Sequence, residues 1–98
     1  MFVEVDGDVD VAALDLWLGQ LVRQQDSSLL RMKGILAVPG DPRRFVFNGV
    51  RGVVDVRPER HWEHEPRSSR IVFIGRGLVS ERIRTGFHGC MAESSRLN

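Results

Sequence analysis

The sequence of 98 residues lacks the motifs on which the common hydrolytic enzymes depend. It contains no GxxxxGK(S/T) phosphate loop, no GxSxG nucleophile elbow and no HExxH zinc-binding helix. Gly75-Arg76-Gly77 matches only one spacing of the GxGxxG dinucleotide fingerprint. We therefore predict that the chain is not an enzyme, because no nucleophile, base and orienting group are recognisable together.

Cysteine and long apolar runs are also scarce. Cys90 is the single cysteine, which excludes an internal disulfide and makes the reduced cytoplasm the expected compartment. It falls on the apolar stripe of a predicted helix, so we interpret it as an inert structural thiol. No apolar run approaches the ~20 residues of a membrane span and no secretory signal is visible, so we expect no membrane partner.

Lysine is nearly absent, so arginine carries the positive charge. The formal net charge is only +1, but it is unevenly distributed. Residues 1–26 are acidic, with Arg23 as their only basic side chain, whereas arginines dominate from Arg31 onward. Arginine suits planar contacts to carboxylate or phosphate. The arginine-rich part could face nucleic acid, an acidic partner, or the acidic N-terminal segment of the same chain.

The first third of the chain predicts a strand followed by an amphipathic helix. Residues 2–6 alternate between apolar and acidic side chains, a pattern typical of a short edge strand. Asp10 is a suitable N-cap for a helix over about 10–25, in which apolar residues recur at helical spacing. Trp17 lies beside that apolar stripe, and we interpret it as a core residue.

The middle of the chain predicts two or three strands. Residues 29–38 form the second strand, in which Gly34 marks either a bulge or a close approach to the backbone. The turn signal Pro39-Gly40-Asp41-Pro42 predicts a hairpin to the next strand.

Residues 43–57 form a long extended run whose alternation slips near Asn48-Gly49 and Gly52. We interpret this run either as one long strand bent by a bulge or as two strands joined at a kink, and we prefer the bent strand. The Asn48-Gly49 pair is also a hairpin signal, but a turn there would leave very short arms. Residues 58–69 are polar and predict a loop.

The remainder predicts a buried strand over 70–76 and a second helix capped by Ser80, with Ile83, Phe87, Cys90 and Met91 as its apolar stripe. The order is β-α-β-β-β-α. It predicts one α+β domain over 1–98, a two-layer sandwich with a mostly antiparallel sheet of four to five strands and two helices on one face. The first helix could join two parallel strands through a right-handed crossover.

The segment His61-Trp62-Glu63-His64 is a candidate metal site. Two imidazoles and a carboxylate are ligands that Zn²⁺ accepts, and Co²⁺ is the other metal we consider. The segment is flanked by prolines and predicts a loop. Outside a helix, the spacing of three residues between the histidines does not place their side chains on one face. A tight site also needs about four ligands. His61 and His64 are therefore weak metal candidates, and loop histidines at the surface are the simpler interpretation.

The segment Arg67-Ser68-Ser69-Arg70 precedes the buried strand. Arginines beside hydroxyls could hold a phosphate or a carboxylate of a partner. The interpretation we favour is structural: the serines shape the loop, and the arginines pair with Glu63, Glu65 or the acidic N-terminal segment.

The order of several segments resembles a known family. LLRMKGILAV at 29–38, FVFNGVR at 45–51, Trp62, and PRSSRIVFIG at 66–75 follow the pattern of the CobW C-terminal domain. The N-terminal strand and the helix containing DVAALDLWL also fit its start, so the resemblance covers nearly the whole chain.

The resemblance to this family implies a function for the chain. Proteins of the CobW/HypB/UreG type are GTP-dependent metallochaperones with an N-terminal P-loop GTPase domain that carries a Cys-x-Cys-Cys metal site. This sequence contains neither the phosphate loop nor Cys-x-Cys-Cys, so GTP hydrolysis does not carry over to it. The resemblance implies an accessory domain for partner or client recognition, acting with a GTPase domain in cis or in trans and on a metalloprotein client.

The expected contact surface is the strand face that carries Arg31 and Lys33 together with the 58–70 loop. Within it Trp62, Arg67, Ser69 and Arg70 are the predicted partner-binding residues, because tryptophan and arginine are enriched in binding hot spots. Two alternatives remain open. One is a small nucleic-acid-binding module using Arg31, Arg43, Arg44 and Arg51, which the low net charge disfavours. The other is a weak metal-binding domain using His61 and His64.

Overall fold

The structure of the chain is a computed structural model that describes residues 1–25, 29–51 and 53–92. Its elements are β1 Phe2–Asp6, α1 Val11–Gln25, β2 Leu29–Ala37, β3 Arg43–Val50, β4 Val53–His61, β5 Ser68–Gly75 and α2 Ser80–His88. No helix in these ranges is long and apolar enough to cross a membrane.

The five strands form one antiparallel sheet in the order β1-β5-β2-β3-β4. The last strand in the sequence therefore lies between the first two. Because β1 and β2 both run antiparallel to β5, they are parallel to each other and are joined by α1. The predicted α+β fold and the parallel relation of the first two strands are confirmed.

Both helices pack on one face of the sheet and close a single core. The helices contribute buried leucines, isoleucine and phenylalanine, and the strands contribute alternate residues of the facing side. The largest fully buried side chains are Phe47, Phe73, Phe87, Met32 and Leu36. Trp17 is partly buried against this core and meets Phe73 edge to face, with ring centroids 6.0 Å apart. Its predicted core role is confirmed.

Two local predictions concern the N-cap of α1 and the glycine in β2. An Asp10 carboxylate oxygen accepts from the Ala13 amide at 3.2 Å, which confirms the predicted N-cap. At Gly34 a Cβ atom would press on the Arg70 carbonyl and lie 2.9 Å from the Ile71 Cα. The glycine thus permits the close approach of β5 to β2, and the irregularity of that strand pair lies elsewhere, between Leu29 and Arg31.

The preferred single bent strand over 43–57 is wrong. The chain reverses after Val50, which pairs with Val53, so β3 and β4 form a hairpin with arms of eight and nine residues. Arg51 takes a left-handed backbone with φ 49°, whereas Asn48 and Gly49 lie within β3. Gly52, where the phase slip was placed, lies outside the described residues. The arms are long because β4 continues to His61, which also shortens the predicted 58–69 loop.

The second helix begins as predicted but with a different cap. Ser80 is its first residue, and Val79 occupies the N-cap position. The apolar stripe is confirmed, since Ile83, Phe87 and Cys90 are buried and Met91 is partly buried. The segment after α2 returns to the first turn, where Asp10 N donates to Cys90 O at 2.8 Å.

Candidate functional site

Trp62 lies at the centre of a cluster formed where β4 leads into β5. Its amide donates to the Pro42 carbonyl at 3.0 Å, which fixes the residue against the β2–β3 turn. The indole lies between two guanidinium groups, with the Arg44 and Arg67 Cζ atoms 5.7 and 5.8 Å from the ring centroid. Such cation–π contacts hold a tryptophan in place. The Trp62 Nε1 atom is buried and has no hydrogen-bond acceptor within the described part of the chain.

Arg67 supports this cluster by bonding to two turns, the one after β1 and the one between β2 and β3. Its Nε donates to Asp8 Oδ1 at 2.9 Å, and its Nη atoms donate to the Asp41 and Val38 carbonyls, each at 2.8 Å. The Arg67 carbonyl accepts from the Gly7 amide at 3.0 Å. The pairing with Asp8 confirms the predicted contact with the acidic N-terminal segment for Arg67. Ser68 and Ser69 lie in β5 and not in the predicted loop.

Ser69 is fully buried, and its hydroxyl joins the end of β2 to the residue that follows β1. It accepts from the Ala37 amide at 3.0 Å and donates to the Gly7 carbonyl at 3.1 Å. Because the hydroxyl is occupied in the interior, Ser69 contributes to a surface site only by positioning its neighbours Arg67 and Arg70.

Arg70 lies on the opposite face of the sheet from the helices. It is half-buried and pairs in register with Glu4 of β1 and Ile35 of β2. It also lines a cleft between the sheet and the 62–67 segment. The lining residues of that cleft, named the Trp62 cleft below, are Glu4, Asp6, Arg44, Arg60, Trp62, Glu65, Pro66, Ser68 and Arg70.

Charges of both signs alternate around the Trp62 cleft. Arg44 Nε lies 3.0 Å from Glu59 Oε1, and Arg60 Nη1 lies 2.7 Å from Glu65 Oε1. A hydrogen bond from its own backbone, followed by that from Arg60, lowers the pKa of Glu65, so this carboxylate stays ionised. A partner of mixed charge therefore suits the cleft better than a polyanion.

The two candidate metal ligands lie at the rim of this region. His61 ends β4 and His64 follows in a bend, and both side chains are exposed. In residues 1–25, 29–51 and 53–92, no three histidine, cysteine, aspartate or glutamate side chains are grouped so that they could hold a metal ion. Cys90 is buried in the segment that follows the second helix, away from this rim.

The arginines proposed for nucleic-acid contact are partly committed to carboxylates. Arg43 forms a bidentate pair with Asp41, through bonds of 3.0 and 2.9 Å, and Arg44 pairs with Glu59. These pairs reduce the positive charge available to phosphates, which weakens that alternative.

The sequence did not indicate that Arg44 would lie beside Trp62. The sequence indicates Arg44 only as a candidate phosphate contact, because its neighbour Trp62 lies 18 positions away. The two meet because β3 pairs with β4, a hairpin that was not preferred. The aromatic and arginine content of the 58–70 segment was the available signal for the remainder of the cluster.

The fold is that of an α+β domain, and comparison with known proteins gives its family. Residues 1–91 match the family described as the Cobalamin synthesis protein cobW C-terminal domain, and the chain belongs to it. It is 37% identical over 87 residues to the zinc chaperone YjiA of Escherichia coli K12, covering 89% of this chain and 27% of that protein. It is 40% identical over 83 residues to the zinc chaperone CobW of Pseudomonas aeruginosa, covering 80% and 22% respectively.

A solved structure shows the same architecture. The crystal structure of Zn(II)-bound YjiA GTPase from E. coli superposes with a TM-score of 0.84 at 35% identity, over 94% of this chain and 29% of that one. The chain thus spans about a quarter of the length of the relatives it matches.

Proposed function

We propose that this chain is the accessory domain of a GTP-dependent zinc chaperone and serves partner or client recognition beside a P-loop GTPase domain, in cis or in trans. The observation that carries the proposal is the match of residues 1–91 to a C-terminal domain whose relatives are named zinc chaperones. The sequence holds no phosphate loop, so the GTP chemistry belongs to the partner domain.

The proposed recognition surface is the Trp62 cleft. Trp62 presents an aromatic ring that two arginines hold in place. Arg70 supplies a half-buried guanidinium on the same side. Arg67 and Ser69 are the other two predicted partner-binding residues. Their proposed role is to position the neighbouring residues, because both donate hydrogen bonds to neighbouring turns. A preorganised aromatic and arginine pair is the kind of group that dominates binding energy.

GTP turnover tests this role. The partner is the GTPase portion of E. coli YjiA, and this chain is added in increasing amounts while phosphate release is followed. We expect binding and altered turnover, with the apparent affinity falling more than about fivefold for Trp62→Ala or Arg70→Ala, as for hot-spot residues. Arg57→Ala is the matched control, since the Arg57 side chain is 78% exposed on β4 and pairs with Asp55.

Two outcomes would contradict the proposal. One is the absence of binding and of any turnover change at high concentration of a chain shown to be folded. The other is an equal loss of affinity in the Arg57→Ala control. Trp62→Phe separates recognition from folding, because it keeps a ring between the two arginines while removing the Nε1 donor.

Zinc is the proposed cargo, since the relatives carry it in their names and one is seen Zn(II)-bound. Zinc contact by this chain would use His61 and His64, with the remaining ligands from a partner or water. We expect the isolated chain to bind Zn²⁺ no more tightly than about micromolar, because two imidazoles do not complete a tetrahedral site. Competition titration with a chromophoric chelator measures this. Tighter binding that is lost in the His61→Ala/His64→Ala variant would show that the chain holds a complete site itself.

A further inference from the structure

The face of the sheet turned away from the helices, called the open face below, is not covered by any element of the described residues except near the Trp62 cleft. It consists of the strand residues that alternate with the core, including Phe2, Ile35, Val46 and Val72. Apolar side chains on it remain accessible: Val50 is 53% exposed, Ile74 50% and Phe2 54%. A sheet face with this much apolar surface is typical of an interaction site.

Four apolar residues of the open face border one hollow, although charged residues lie among them. This hollow at the centre of the face is lined by Phe2, Ile35, Val46 and Val72, with Lys33 and Arg70 among the charged residues at its margin. Arg70 also lines the Trp62 cleft, so the hollow and the cleft form one surface across the sheet. A binding partner could therefore bury apolar side chains in the hollow and contact the charged rim at the same time, as inter-domain interfaces do.

The size of the relatives and the position of β1 indicate what covers this face. About three quarters of each relative lies outside the matched region, which is a C-terminal domain, so the remaining mass precedes it. In such a chain the preceding domain connects to the start of β1. Here that start is fixed at the sheet edge, where the Met1 nitrogen donates to the Phe73 carbonyl at 2.7 Å and Phe2 lies on the open face.

We propose that the open face is the docking surface for the GTP-binding domain of the chaperone, with Phe2, Val72 and Ile74 buried in that interface. This inference rests on the proposed function and assigns the GTPase domain to this surface. Glu59 borders the hollow together with Lys33 and Arg70, and this mixed charge suits a folded domain with a mixed surface better than a polyanion.

Cysteine accessibility tests the proposal. A chimera carries this chain in place of the matching C-terminal segment of E. coli YjiA, and the isolated chain serves as reference. Ile74→Cys reports on the open face, and Leu16→Cys, at a position 70% exposed on α1, is the matched control. Cys90 is 2% exposed and reports on folding, because it should react with a thiol reagent only after unfolding.

In the isolated chain both engineered cysteines should react rapidly. In the chimera, labelling at Ile74→Cys should slow by about tenfold or more while Leu16→Cys is unchanged, since only an occluded thiol depends on transient opening. Equal rates at Ile74→Cys in the two proteins, or protection at Leu16→Cys instead, would overturn the proposal. Protection in the isolated chain that rises with concentration would assign the face to a second copy and would also overturn it.

The chimera separates this inference from the proposed function. If GTP turnover of the chimera depends on this chain while Ile74→Cys stays reactive, the accessory role stands and the open face is the wrong surface. If turnover is indifferent to the chain and Ile74→Cys stays reactive, the accessory role itself is refuted. Val72→Asp gives a second measurement: it should leave the isolated chain folded and restore labelling of Ile74→Cys in the chimera.

Discussion

Ser69 shows how one hydroxyl can hold several chain segments together. It lies in β5, accepts from the end of β2 and donates to the residue that follows β1. Replacing it with alanine leaves the buried Ala37 amide without its partner, and an unsatisfied buried group costs about 1–3 kcal/mol. We expect Ser69→Ala to lower the free energy of unfolding by about 2 kcal/mol, measured by urea denaturation.

Ser80→Ala is the matched control for that measurement. Ser80 is exposed at the start of α2, and its replacement should change the free energy of unfolding by less than about 0.5 kcal/mol. Comparable losses in the two variants would mean that the buried hydroxyl has no special role.

Asp41 gives the fold a dependence on acid pH. Hydrogen bonds from the Arg43 side chain and amide lower the Asp41 pKa from 3.8 to about 2. A carboxyl whose pKa is lower in the folded than in the unfolded state stabilises the fold above its unfolded pKa. That stabilisation is lost as the pH falls from about 4 toward 2.

The test compares the chain with its Asp41→Asn variant. The variant should be less stable at pH 6, and the difference should vanish as the pH approaches 2, as followed by thermal unfolding across that range. A difference that is constant with pH would show that the carboxylate charge is not involved.

The sequence predicted the contacts of some of these residues but not of others. The acidic start and the later arginines predicted pairing between the two regions, and Arg67 with Asp8 realises it. The contact of Trp62 with Arg44 could not be predicted, because it depends on which strands are neighbours in the sheet. Local sequence carries no information about that distant pairing.

At the scale of elements, two glycines in helices have opposite roles. A Cβ atom at Gly86 of α2 would collide with the Trp17 indole and lie 2.7 Å from its Cζ2. At Gly19 of α1 the nearest atom would be Arg23 Nη1 at 3.6 Å, which is ordinary contact. Alanine favours a helix over glycine by about 0.8–1 kcal/mol at either position, so only the packing differs.

Gly19→Ala should therefore stabilise the chain by about 0.5–1 kcal/mol. Gly86→Ala should destabilise it, because overpacking costs about 1–3 kcal/mol and exceeds the helix gain. Urea denaturation of both variants measures the difference, and near-ultraviolet circular dichroism reports on Trp17. Stabilisation by both substitutions would show that α2 and Trp17 can separate freely.

The composition of β4 explains why the sequence did not predict the hairpin of β3 and β4. Of its nine residues only Val56 is partly buried, so the strand lacks the alternation that marks a half-buried strand. Pro58 and several charged residues also disfavour a strand assignment, yet an edge strand tolerates both. The helices were predictable because burial imposes a period on their sequence, and β5 because residues 71–74 form a continuous apolar run. That run predicts burial on both faces, which is wrong, since Val72 and Ile74 are exposed. β4 has neither signal.

At the scale of the whole molecule, the sequence predicted that helices cover one face of the sheet. It did not predict whether the open face of the sheet binds a partner. One-sided apolar patterns predict a sheet covered by helices on one side. The apolar residues of the open face alternate with charged ones, and nothing in their pattern distinguishes a solvated face from one that docks a domain. The partner that would make that distinction is absent from the sequence.

The position of β5 inside the sheet, between β1 and β2, also affects the order in which strands can pair during synthesis. β1 has β5 as its hydrogen-bonded neighbour, and about 60 residues separate the end of one from the start of the other. At about 5–20 residues per second, the first strand leaves the ribosome several seconds before the strand that completes its pairing. The hairpin of β3 and β4 can form in that interval, but β1 must wait, so the sheet closes from its centre only when the last third of the chain arrives.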